Sequence, residues 1–116
     1  MAKGDPPRIS CPLWTLVDAK DFDRVGLVLS IALIPDKKTG VIDVPIFTNE
    51  EFAERYAATQ AGTKPVRLDT RGPVVDIMRF AELSGVQYVG VNPPSELGTA
   101  EWQMPIGEFL AELPLD

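Results

Sequence analysis

The fold is decided by the stretch Val41-Ile42-Asp43-Val44-Pro45-Ile46-Phe47-Thr48-Asn49-Glu50-Glu51-Phe52, which predicts a strand running directly into a helix. Thr48 is the candidate N-cap, and Glu51 follows it at the spacing of a capping box. Phe47 and Phe52 flank this cap at the spacing of a hydrophobic staple. The first helix is therefore expected over 49–59, with its early glutamates serving the helix start.

The residues before this stretch predict the first half of an antiparallel hairpin. The segment 25–34 is continuous in aliphatic and β-branched residues, which favours a long strand without a fully solvated face. Residues 35–40 predict the turn, and 41–47 the returning strand. Pro45 removes one donor from the ladder, so we expect an edge or a bulge there.

The start of the chain predicts less regular structure. We expect residues 1–12 to form a flexible arm, because Gly, Asp and two prolines cluster in 4–7. A short strand, or a helical turn after Pro12, is expected within 9–17. A polar connection is expected over 18–24.

The residues after the first helix predict a strand over 64–68, a second helix and a buried strand over 86–91. Pro73 suits the first position of that helix, and Gly85 suits the position after its end. The order strand, helix, strand implies a right-handed crossover and a parallel pair. The apolar stripe of the second helix follows helical spacing and consists of Val74, Ile77, Met78 and Ala81.

The last residues predict a short strand over 101–104 and a short helix that starts at Pro105. Its apolar stripe comprises Ile106, Phe109, Leu110 and Leu113. The predicted fold class is α+β, with a mixed sheet of about five strands covered by two or three helices. An antiparallel hairpin comes first, strand–helix–strand units follow, and residues 13–116 form a single domain.

Composition limits the classes of function. The chain has 116 residues, a net charge of −6 and no histidine. The negative charge argues against a nucleic-acid partner and against an anionic membrane surface. The absence of histidine excludes His-based acid–base chemistry and His-containing metal sites. Cys11 is the only cysteine, which allows no intrachain disulfide. With no signal peptide visible in residues 1–10, we expect a cytoplasmic protein.

Three pieces of sequence resemble one known family. They are V-P-I-F-T-N-E-E-F at 44–52, the helix and strand at 77–91, and the V-N-P turn at 91–93. Together they resemble the N-terminal domain of SseB-like proteins, a bacterial family, although Pro94 stands where that family usually has Gly. The resemblance implies a small cytoplasmic α/β-type domain without an established activity, and an accessory role beside partner proteins.

The candidate chemistry is sparse. No phosphate-binding or dinucleotide fingerprint is present, so no cofactor is expected. The acidic cluster Asp18, Asp21 and Asp23 lacks the pattern of a calcium-binding loop and favours a solvated turn. Thr70 and Arg71 precede the second helix, where free amides allow either capping or an anion site. Open α/β sheets tend to bind ligands at the carboxyl ends of their strands. The candidate ligand-binding loop follows such a strand end and consists of Asn92, Pro93, Pro94 and Ser95.

These observations favour a non-catalytic accessory or interaction domain. Its expected partner is another protein or a second copy, bound at a sheet edge or at the loop 92–99. The alternative is a small-ligand-binding regulatory domain that uses the loops at 69–73 and 92–95. A third hypothesis is an enzyme that works through carboxylates alone, and such an enzyme needs a deep cleft. Of Trp14 and Trp102, we expect one in the core and the other partly exposed.

Overall fold

Two sheets and four helices form from residues 9–35, 40–92 and 102–113, the part of the chain that this computed structural model describes. The predicted α+β class is confirmed. In chain order the elements are β1 Leu13–Asp18, α1 Ala19–Leu29, β2 Ile34–Pro35, β3 Ile42–Ile46, α2 Glu50–Ala58, β4 Thr63–Leu68, α3 Arg71–Leu83, β5 Tyr88–Val91, β6 Trp102–Pro105 and α4 Ile106–Glu112.

The larger sheet has the strand order β2-β3-β5-β6 and is mixed. β3 and β5 are parallel, with Val44 opposite Val89, whereas β2 and β6 are antiparallel to their neighbours. The second sheet is the antiparallel pair β1-β4, with Leu13 opposite Leu68. The expected parallel pair therefore exists, but its first strand is β3. The pairing of 64–68 with 86–91 is wrong because β4 bonds to β1 instead.

β1 connects the two sheets because its backbone is bonded on both edges. On the edge away from β4, the amide of Trp14 donates to the carbonyl of Phe47 at 2.9 Å, and the amide of Phe47 donates back at 2.7 Å. Farther along the same edge, the amide of Ala32 donates to the carbonyl of Leu16 at 2.9 Å. The side chain of Thr15 adds a buried bond of 2.7 Å to the carbonyl of Pro45. One strand thus holds β3, β4 and the segment after α1 together.

The expectation of a long strand over 25–34 is wrong. Helix α1 takes its first part, and only Ile34 and Pro35 pair with β3. The local cause is Asp18, whose Oδ1 accepts from the amide of Lys20 at 2.9 Å and that of Asp21 at 3.3 Å. This N-cap starts a helix within 18–24, where the sequence predicts a polar connection. Gly26, with φ 82° and ψ −179°, then interrupts the helix.

Pro45 lies in an inner strand, since β3 has β2 on one side and β5 on the other. β2 nevertheless reaches only Ile42 and Asp43, so it forms no ladder pair with Pro45. The missing amide donor therefore costs no bond to β2. The expectation of an edge or a bulge is wrong, because Pro45 is buried, its pairing with β5 keeps a regular register, and Thr15 of β1 donates to its carbonyl.

The core divides into two clusters. The larger packs α3 and α4 against β3 and β5, and the predicted stripe of α3 lies inside it with every residue buried. The smaller packs α2 against β1, around the fully buried Leu16 and Phe47. Ile9 is buried against the larger cluster, which shows that the chain already contributes to the core before β1. Trp14 packs half-buried on the smaller cluster, whereas the side chain of Trp102 is outside the described part.

Helix α3 ends in a Schellman motif, and the glycine expected just after the helix end is Gly85. The amide of Val86 donates to the carbonyl of Ala81 at 2.9 Å, and the amide of Gly85 donates to that of Glu82 at 3.0 Å. Gly85 itself has φ +92°, in the left-handed region. At the other end of α3, Pro73 is the third helical residue rather than the first, because the helix already begins at Arg71. The motif sets the direction in which the chain turns into β5.

We predict that Gly85→Ala lowers the free energy of unfolding by about 1 kcal/mol, because a Cβ disfavours left-handed backbone. The loss is conformational, since a Cβ at Gly85 would meet no atom of the described residues within 4 Å. Gly72→Ala is the matched control, because Gly72 lies in the same helix without a positive φ and has the same open surroundings. Urea denaturation should show Gly72→Ala neutral or stabilising. Equal destabilisation by both changes would contradict the assignment.

Candidate functional site

Asn92 directly follows β5 and fastens it to the start of α2. Its side-chain Oδ1 accepts from the amide of Thr48 at 2.9 Å, while Nδ2 donates to Oγ1 of Thr48 at 3.0 Å. The amide of Asn92 donates to the carbonyl of Ile46 at 2.8 Å. Asn92 adopts φ 50°, a left-handed conformation that Asn tolerates better than most residues. Both polar ends of this side chain are therefore committed to a structural contact at the carboxyl end of the parallel strands.

This contact explains why the predicted cap of α2 is wrong. The N-cap is Asn49, whose Oδ1 accepts from the amide of Glu51 at 2.7 Å. Thr48 is bonded to Asn92 instead, and its partner lies 44 positions away in sequence. The carboxylate of Glu51 accepts from Arg55 at 2.6 Å on the exposed face of the helix, rather than reaching back to the cap. The helix itself spans Glu50–Ala58, close to the predicted range.

The predicted staple partners have different environments. Phe47 is fully buried and forms a tilted ring pair with Tyr56, with ring centroids 5.9 Å apart. Phe52 is 41% exposed. Burial raises the pKa of Tyr56 above its ordinary value of 10.0, because desolvation disfavours the phenolate. The aromatic contact that anchors α2 is thus Phe47 with Tyr56, one helical turn beyond the position that the staple pattern indicated.

Thr70 precedes α3 as expected, whereas Arg71 is already its first helical residue, and Thr70 caps the helix only through its backbone conformation. Thr70 is the N-cap with φ −132° and ψ 169°, and no cap bond from its side chain is found within the described part of the chain. Arg71 is half-buried as the first helical residue. Asp69 forms an exposed ion pair with Arg67 of β4.

Of the second predicted ligand loop, residues 92–95, the structure describes only Asn92. Pro93, Pro94 and Ser95 lie outside the described residues. Of the candidate ligand residues, the structure therefore places Asn92 against Thr48 and places Thr70 and Arg71 at the start of α3.

The acidic candidates lie at the start of α1. Asp18 caps α1, and Asp21 and Asp23 lie within the first turns of that helix. Within 9–35, 40–92 and 102–113, no three His, Cys, Asp or Glu side chains gather closely enough to hold a metal ion.

Asp43, unlike these acidic residues, is fully buried in β3, and it accepts from Nε2 of Gln103 in β6 at 2.8 Å. This bond ties two strands that flank β5.

An apolar surface around the end of α3 is not directly predicted by the sequence pattern. We call it the α3-end surface and define it by Leu33, Ile42, Phe80 and Leu83. Leu83 is 88% exposed, Ile42 48% and Leu33 41%. Phe80 is half-buried. A weak signal was present, since Leu83 falls off the apolar stripe of α3 and therefore could not face the core.

Two depressions connect Leu33, Phe80 and Ile42 through Ser84, and we group Leu83 with them because it precedes Ser84 at the end of α3. A small cavity of about 30 Å³ has both Leu33 and Phe80 in its wall, together with Ser84. An open groove of about 460 Å³ is lined by Ile42 and also by Ser84, the residue next to Leu83. A further groove of about 320 Å³ lies on the other side of the turn from α3 to β5 and includes Glu82. The α3-end surface lies at the amino end of β5, whereas Asn92 lies at its carboxyl end.

Comparisons with models of known protein families and with curated proteins find no match to this chain. In the described part of the chain, every helix is too short or too polar to cross a membrane.

We predict that Asn92→Ala lowers the free energy of unfolding by about 1–3 kcal/mol, because it leaves partly buried polar groups of Thr48 without their partner. Asn92→Gly separates the two contributions, since Gly tolerates the left-handed φ but cannot bond Thr48. Chemical denaturation of both variants measures the difference. If Asn92→Gly were as stable as the unchanged protein, the side-chain bonds would contribute nothing.

We predict that the free energy of unfolding depends on the ionisation of Tyr56 at alkaline pH. Since its pKa is raised in the folded state, its stabilising contribution is fully present below the unfolded value of 10.0 and is lost as pH rises through the folded pKa. Tyr56→Phe removes this ionisation and keeps the ring. Unfolding free energies measured from about pH 9 to 11 should therefore fall less steeply for Tyr56→Phe. Parallel pH profiles would contradict the burial of the hydroxyl.

Proposed function

We propose that this chain is a non-catalytic protein-interaction domain that binds its partner through the α3-end surface. The supporting observation is the exposure of Leu33, Ile42 and Leu83 around one helix end. Single exposed apolar residues are ordinary, but neighbouring ones that border a groove are typical of interaction sites. Covering apolar surface is favourable by about 25 cal/mol for each Å² removed from water.

Backbone hydrogen bonds hold two described parts of this surface, the end of α3 and the strand β3. The end of α3 is held by the Schellman motif at Gly85, and Ile42 lies in a strand with paired neighbours on both sides. A surface that is already ordered loses less conformational entropy when a partner binds. The same backbone bonds that define the fold therefore also favour affinity.

The chemistry of the surface favours apolar recognition. Among the described residues that line its cavity and the two grooves, Glu82 alone is charged. A partner would therefore place aliphatic or aromatic side chains against Leu33, Ile42 and Leu83, with its polar groups at the margin. Such an interface should depend only weakly on salt, because screening acts on exposed charges.

The family assignment is part of the same proposal. We infer an SseB-like domain of a bacterial cytoplasmic protein from the sequence motif at 44–52 and the Asn-Pro sequence at 92–93. In this interpretation the domain is an accessory to a partner protein or to a second copy of itself. The genes that neighbour its coding sequence would test the accessory role, since an unrelated metabolic context would argue against it.

A small-ligand regulatory role at 69–73 and 92–95 has less support. It retains the start of α3, where the Thr70 side chain makes no cap bond within the described residues. However, the amide group of Asn92 is already engaged by Thr48. We therefore expect no thermal shift across a broad library of metabolites and nucleotides. A ligand at a hundred times its Kd would stabilise the fold by about 2.7 kcal/mol, so a clear shift would favour this alternative.

The interaction proposal is tested by Leu83→Ser. Leu83 is 88% exposed, so its replacement should change the free energy of unfolding by less than about 0.5 kcal/mol. We predict that the unchanged protein captures a partner from a bacterial lysate, or self-associates in light scattering, and that Leu83→Ser loses most of that binding.

Phe52→Ser is the matched control, because Phe52 is another exposed apolar residue but lies on α2. It should retain binding. The proposal fails if the unchanged protein is strictly monomeric and captures nothing, or if Leu83→Ser binds as well as the unchanged protein. Equal loss in both variants would also contradict it, since binding would then follow general surface apolarity rather than the α3-end surface.

A further inference from the structure

We draw no further inference here: the strongest candidate, the groove of about 460 Å³ beside the turn from α3 to β5, belongs to the interaction surface already described, and nothing in the structure shows what covers it.

Discussion

The reciprocal backbone bonds between Trp14 and Phe47, at 2.9 and 2.7 Å, are the constraint on which the architecture depends. They are the reciprocal backbone link between the β1-β4 pair and the end of β3, and the side-chain bond from Thr15 to the carbonyl of Pro45 supports them. Phe47 is also where the chain leaves β3 for α2, so the same pair of bonds fixes the start of the helix that covers β1. Fully buried side chains on each side of this junction then exclude water from the backbone bonds.

A second junction lies one residue farther along the chain. The bond pair between Asn92 and Thr48 joins the end of β5 to the start of α2, and the amide of Asn92 also reaches Ile46. The polar groups at the carboxyl end of the parallel strands are thus used to close the fold. At the opposite end of the sheet, near the turn at Gly85, Ile42 of β3 is exposed.

Sequence periodicity predicted the parts that depend on neighbours in sequence. The stripe of α3, the stop at Gly85 and strands β3 and β5 are of this kind. Two errors have separate causes: at α1 the cap at Asp18 prevailed over the β propensity of the following residues, and at α2 a distant asparagine bound Thr48. Sequence pattern indicated the α3-end surface only through the position of Leu83 off the apolar stripe of α3, because the exposure of Ile42 depends on which elements pack around its strand. For the predicted ligand residues Asn92 and Thr70, the sequence predicted their positions at the end of β5 and at the start of α3. It did not predict that the side chain of Asn92 bonds to Thr48.

The shortness of β2 has a consequence for how this protein meets other chains. A two-residue strand ending in Pro35 offers almost no free ladder to a further strand. β4 presents a longer outer edge in the described part of the chain, but Pro65 interrupts its donors and Lys64 and Arg67 add charge. Leu33 and Ile42 can therefore remain exposed beside β2 without that edge acting as a template for cross-β growth, so at this edge a partner would bind through side chains rather than through the backbone.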